Sequence, residues 1–162
     1  MNDNIFNIPA DVNPRIPAVE FPFRQKTDIQ MRFNDTDMLG HVNNNACLSY
    51  LDLGKTGYFN SMVDEEVDWK SVNIVVVNIN VDFYAPTFLG EKMTVLTQTV
   101  AIGYKSLTLL QRLVDLDTGQ VKCQARTVMA GIDLKTGQSQ PITQQWVEKI
   151  KAFEQCKLNK DT

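Results

Sequence analysis

Between Asn43 and Phe59 the chain carries one helix that dictates its own surroundings. Asn43, Asn44 and Asn45 are good helix starters, and Leu48, Tyr50, Leu51, Leu53, Tyr58 and Phe59 leave few polar positions after them. The predicted helix is therefore apolar on most of its circumference and must be wrapped, because docking it on one side would leave apolar surface in water. Gly54 and Gly57 lie within it or near its end, where an interior glycine costs about 1 kcal/mol relative to alanine. Close backbone approach to a sheet accounts for such a pair.

The rest of the chain supplies the wrapping. Ile29, Met31 and Phe33 alternate with Asp28, Gln30 and Arg32, predicting a strand ahead of the helix. After a short acidic link, Asp64 to Lys70, itself a candidate helix, four strand-like segments follow. In the first, Val75, Val77, Ile79, Val81, Phe83 and Ala85 share one parity and Asn78, Asn80, Asp82 and Tyr84 the other, until Pro86 ends it. Gly90-Glu91 opens the next, Met93 to Ile102; Gly103 turns into Leu107 to Leu116; Asp117-Thr118-Gly119 turns into Val121 to Leu134. Links this short predict that consecutive strands are antiparallel neighbours. Lys135-Thr136-Gly137 closes the sheet, and Trp146, Ile150 and Phe153 mark an amphipathic terminal helix with Thr143 as candidate N-cap. The predicted class is α+β: about five antiparallel strands curled around the apolar helix.

With 162 residues, 43% of them hydrophobic, the chain suits one domain. We place it at 27–156, behind an extended arm at 1–26 that carries Pro9, Pro14, Pro17 and Pro22 and before a tail at 157–162. The arm is expected to lie over the surface or to be partly disordered. Sixteen Lys+Arg against nineteen Asp+Glu, with no basic run of five, argue against nucleic acid or an anionic membrane as partner. No leader-like N-terminus or membrane-length apolar run is present, so the expected location is cytoplasmic. Cys47, Cys123 and Cys156 are odd in number and widely spaced, and His41 is the only histidine, so neither a disulfide framework nor a metal site is expected.

The densest chemistry lies just before the helix, in Asn34-Asp35-Thr36-Asp37-Met38-Leu39-Gly40-His41-Val42-Asn43-Asn44-Asn45. A strand-to-helix junction of this kind aims unpaired N–H groups and a nearby carboxylate at whatever sits before the helix. The run Asp35-Thr36-Asp37-x-x-Gly40-His41-Val42-Asn43-Asn44, followed by Leu48 and Tyr50, resembles the signature of hotdog-fold thioesterases of the 4-hydroxybenzoyl-CoA thioesterase and acyl-CoA thioesterase type. The resemblance continues through Gly103-Tyr104-Lys105-Ser106 and Gly119 and spans roughly residues 27 to 150.

The resemblance implies an acyl-CoA thioesterase, or one acting on an acyl carrier protein thioester, that needs no cofactor and works as a homodimer or homotetramer with sites between subunits. It places the catalytic carboxylate at Asp37, as general base or nucleophile, and the carbonyl donor at the backbone N–H of Asn44. Elementary chemistry agrees, since thioester hydrolysis needs an activated nucleophile and donors for an oxygen that becomes anionic. His41 either orients water, bonds the carbonyl, holds Asp37, or only caps the loop. Asp37 alternatively serves as an Asx-turn residue. Tyr104, Lys105 and Ser106 resemble the segment that contacts the coenzyme A nucleotide, and Asn78 and Asn80 either line the acyl tunnel or meet a second subunit.

Two positions depart from the family pattern. Cys47 stands where relatives often carry Tyr and is expected to pack rather than react; Asp52 stands where many carry Glu, and on an apolar helix needs a partner or water. A hotdog module that binds acyl thioesters without hydrolysing them is the competing reading, and a 3-hydroxyacyl thioester dehydratase a further one. Fold alone does not separate them.

Overall fold

The computed structural model describes residues 2–65, 67, 72–155 and 158. In chain order its elements are β1 (Lys26–Ile29), α1 (Asn44–Asn60), β2 (Ile74–Phe83), β3 (Met93–Ile102), β4 (Ser106–Asp115), β5 (Val121–Gly131) and α2 (Gln144–Glu154). The strands form one antiparallel sheet in the order β1-β3-β4-β5-β2. The expected α+β class and five-strand count hold. The link Asp64 to Lys70, Cys156 and the tail at 157–162 lie wholly or largely outside the described residues.

The expectation that consecutive strands are neighbours holds for β3–β4–β5 and fails for β2 and β3. β2 pairs with β5, from Ile74 opposite Gly131 to Phe83 opposite Cys123, and forms one edge. The 84–92 link is no tight turn: Tyr84 and Ala85 donate to the Lys122 carbonyl, and the chain then crosses the end of the sheet to reach β3. That crossing wall faces the start of α1, where Val42 N–H donates to Thr87 O at 2.7 Å.

The first strand is shorter than its alternation predicts. β1 stops at Ile29, and Phe33–Asp35 form a 3₁₀ turn in which Asp35 Oδ2 accepts from Arg32 N–H at 3.0 Å. Phe33 consequently points outward, 79% exposed, while Ile29 and Met31 still reach the core. In β2 a bulge between Val76 and Asn78 interrupts the two-residue parity, and Val77 and Phe83 are exposed on this edge strand.

Asn43 caps α1, its side chain accepting from Ala46 N–H at 2.8 Å. Cys47, Tyr50, Leu51, Gly54 and Tyr58 face the sheet. Both α1 glycines sit where a side chain does not fit: a Cβ on Gly54 would run into Val95, and one on Gly57 into Thr27. The sheet covers only this side of the helix. Ser49, Asp52, Leu53 and Thr56 are exposed, so within a single chain α1 is docked and not fully wrapped.

α2 packs Trp146, Ile150 and Phe153 against the far end of α1 and the sheet. Thr143 holds the N-cap position but makes no side-chain cap bond; only its carbonyl serves, accepting from Val147 N–H. The proline-rich arm lies over the outer face of the sheet, where Ile8 and Phe23 cover Leu96, Leu110 and Val114. Its clamp is the buried Arg112 guanidinium, which donates to Asp3 Oδ2, Pro17 O and Gln124 Oε1 at 2.9, 2.6 and 2.7 Å.

Candidate active site

A tight turn delivers the polar run to the helix start. Asp37 N–H donates to His41 O at 2.8 Å and Gly40 N–H to Asp37 O at 3.1 Å, with Gly40 at φ +76°, a conformation that favours glycine. Asp37 Oδ1 accepts from the backbone N–H groups of Leu39 and His41 at 2.9 and 3.1 Å. Asp37 thus forms the Asx-type turn, and its side chain is held by the His41 backbone and not by the imidazole. Its Oδ2 accepts no bond among the described residues, and Asp37 is exposed and lines a cleft.

Asp35 is the structural member of the pair. Its carboxylate, 5% exposed, accepts from the Tyr50 hydroxyl at 2.6 Å and from Arg32, while its carbonyl accepts from Asn43 N–H at 2.8 Å. The Tyr50 hydroxyl, helped by the Arg32 bonds, holds its carboxyl below the ordinary value against the opposing effect of burial. Burial and the Asp35 charge push the Tyr50 hydroxyl upward in turn.

Asp37, His41 and Asn44 line one cleft of about 600 Å³ with Phe83 and Thr87 of the crossing wall, Cys47 of α1, and Lys122 and Cys123 of β5. The Asn43 side chain occupies only Ala46 N–H, leaving the first-turn N–H of Asn44 without an intrahelical acceptor at the positive end of the helix. The His41 ring meets the Phe88 ring edge-on, centroids 4.9 Å apart. Burial pushes the Cys47 thiol up and the Cys123 thiol to about 12, so both keep their protons and pack, as expected for Cys47. The cleft offers an open carboxylate oxygen, an imidazole and free helix N–H donors. A nucleophile can be activated there, and a developing oxyanion stabilised.

Other expected site residues are elsewhere in the chain. Ser106 opens β4 opposite Ala130, which itself pairs with Val75, so Tyr104, Lys105 and Ser106 sit at the Ile74 end of β2 while the cleft sits at the Phe83 end. Ten strand residues separate them, roughly 30 Å. Tyr104 is 77% exposed, and Lys105 Nζ donates to Ser139 Oγ at 3.3 Å. Asn78 and Asn80 bond each other at 2.9 Å on the exposed β2 edge and do not line the cleft. Asp52 finds its partner in Lys55, 2.7 Å away, on the outward side of α1. Sequence reasoning missed Lys122, Glu91 and the Phe83–Thr87 wall, whose only local sign is Pro86 after an alternating run. Among the described residues no cluster of His, Cys, Asp and Glu could hold a metal ion, and no helix is long and apolar enough to cross a membrane.

The family profile of the thioesterase-like superfamily matches residues 31–150, the span from the end of β1 to α2. The chain belongs to the thioesterase-like superfamily. It is a thioester hydrolase with the hotdog fold. Long-chain acyl-CoA thioesterase FadM of Escherichia coli (strain K12) is 30% identical over 126 residues, covering 77% of this chain and 96% of the relative. A thioesterase from Thermus thermophilus, solved in complex with coenzyme A and Zn, superposes with a TM-score of 0.72 at 28% identity, over 82% of this chain and 96% of that one. The 1,4-dihydroxy-2-naphthoyl-CoA thioesterase Slr0204 from Synechocystis shares the fold, with a TM-score of 0.70 at 21% identity over 77% of this chain and 93% of its own.

Proposed function

We propose that this thioesterase hydrolyses acyl-CoA, releasing free CoA and a carboxylic acid. The observation that supports it most is the convergence of the open Asp37 Oδ2, the His41 ring and the unpaired Asn44 N–H on one cleft. Asp37 acts as general base on water or as direct nucleophile, and Asn44 N–H polarises the thioester carbonyl at the helix N-terminus. FadM and the CoA-bound Thermus enzyme support a CoA thioester over other thioesters.

The working unit is a homodimer or a dimer of dimers. The β2 edge carries exposed Val76, Val77, Ile79 and Phe83, and the outward side of α1 carries exposed Leu53, surface that a second copy would cover. Antiparallel pairing of two β2 edges about a two-fold axis sets the Ile74 end of one copy beside the Phe83 end of the other. Tyr104, Lys105 and Ser106 of one copy then approach the cleft of the other, where Lys105 pairs with a CoA phosphate and Ser106 donates to it.

Chromatographic detection of free CoA from aliphatic and aromatic acyl-CoAs, with the parent and Asp37→Ala, tests this reading. Hydrolysis by the parent that collapses in a folded variant supports it. Absence of hydrolysis across that panel, followed by absence on acyl carrier protein thioesters, leaves a hotdog module that binds without reacting.

A further inference from the structure

The wall facing His41 is fastened by an ion pair that takes no part in the chemistry described above. Lys122, at the start of β5, is 2% exposed, an unusual state for an ammonium. Its Nζ donates to Gln120 Oε1 at 2.7 Å, to Pro86 O at 3.0 Å, and to both Glu91 carboxylate oxygens at 2.9 and 3.2 Å. Glu91 closes the next link. Its Oε1 also accepts from Phe88 N–H at 2.6 Å, while Glu91 N–H donates to Phe88 O at 3.2 Å. Phe88 in turn bridges the His41 backbone in antiparallel fashion and sets its ring against the imidazole, and Thr87 O accepts from Val42 N–H.

The chain of contacts runs from β5 through Lys122 and Glu91 to the Phe88 turn, and from Phe88 to His41. A buried ion pair is a weak source of net stability once desolvation is counted, so its effect here is geometric. Without the ammonium, Pro86 O and Glu91 lose their side-chain tie to β5, and the segment between is anchored only at its ends, by Tyr84 and Ala85 N–H on Lys122 O and by Leu116 N–H on Lys92 O, and through its contacts with His41 and Val42.

We propose that Lys122 and Glu91 are positioning residues, which set the His41 imidazole through the Phe88 turn. The effect on catalysis rests on the acyl-CoA hydrolase reading; the effect on the imidazole does not.

His41 is the only histidine, so one set of imidazole signals in the NMR spectrum of histidine-labelled protein reports its surroundings directly. Phe88→Leu, which removes the facing ring, supplies the reference displacement. Glu91→Gln and Lys122→Met are expected to move the His41 signals in the same direction, and to lower kcat roughly ten- to hundredfold with KM little changed. Glu91→Gln added to Phe88→Leu is expected to produce little further loss, because both act along one path. Glu91 is a quarter exposed at its side chain, so its variant carries the test if Lys122→Met fails to fold. Imidazole signals unmoved in a folded Glu91→Gln protein would overturn the proposal, as would full additivity of the two losses. Should the parent hydrolyse no acyl-CoA, the acyl-CoA hydrolase reading fails while the NMR comparison still decides the positioning.

Discussion

The Tyr50 hydroxyl donates to Asp35 Oδ2 across 2.6 Å, tying the second turn of α1 to the 3₁₀ turn that precedes Asp37. A hydrogen bond to a buried charged group contributes about 1.5–3 kcal/mol, and the two Arg32 bonds that remain favour the lower end for Tyr50→Phe. The depressed carboxyl sets the pH dependence. A carboxylate whose folded value lies below its unfolded one stabilises above the ordinary Asp value, about 3.9, and loses that contribution as pH falls through the folded value. Denaturant melts of parent and Tyr50→Phe should therefore differ most near neutrality and converge in acid.

Glu154 behaves in the opposite sense. It ends α2 with 2% exposure; Oε1 accepts from the Tyr58 hydroxyl and from Thr99 N–H, while Oε2 has no partner among the described residues. Burial raises its carboxyl, against the opposing effect of the Tyr58 hydrogen bond. Folding thus favours the protonated form: the stability it brings is full below the ordinary Glu value, about 4.3, and is lost as pH rises through the folded value. Glu154→Gln keeps the acceptor and cannot ionise. It should be more stable than the parent at pH above the folded value, with the gain vanishing near the ordinary Glu value; a less stable variant at high pH would contradict this account.

Gly54→Ala should destabilise the fold even though alanine is the better helix former by about 1 kcal/mol. The added methyl runs into Val95, and overpacking of this kind costs about 1–3 kcal/mol. Val95→Ala in the same chain should recover part of the loss, which a double-mutant cycle of unfolding free energies will show as a favourable coupling.

What was legible in the sequence was what lies close together along it. Asn43 caps α1 because its side chain reaches Ala46 only three residues on, and Asp37, His41 and Asn44 share a cleft because one turn and one helix start bring them there. Strand order was less accessible. The pairing of β2 with β5 joins residues some fifty positions apart, and Pro86 in Tyr84–Lys92 ends a strand without telling a crossing wall from a hairpin. The alternation through Phe33 misled because Asp35 bonds back to Arg32 N–H and breaks the strand geometry without a proline or glycine to announce it. Lys122 and Glu91 escaped notice for a related reason: each is an ordinary surface residue by type, and only the fold buries one against the other.

The two carboxylate oxygens of Asp37 do different work. Oδ1 builds the turn by accepting from Leu39 and His41, while Oδ2 accepts no bond among the described residues and belongs to a residue that lines the cleft. Asp37→Asn preserves the turn acceptor and removes the base, whereas Asp37→Ala removes both. The decisive measurement is single-turnover release of free CoA from the best acyl-CoA substrate by parent and Asp37→Asn, with an unchanged melting temperature as the check on structure. A loss of about 10²–10⁴-fold in a fully folded Asp37→Asn protein is the predicted result, in the range expected for removing a general base. Undiminished turnover by Asp37→Asn would contradict the central claim and leave Asp37 as a turn residue alone.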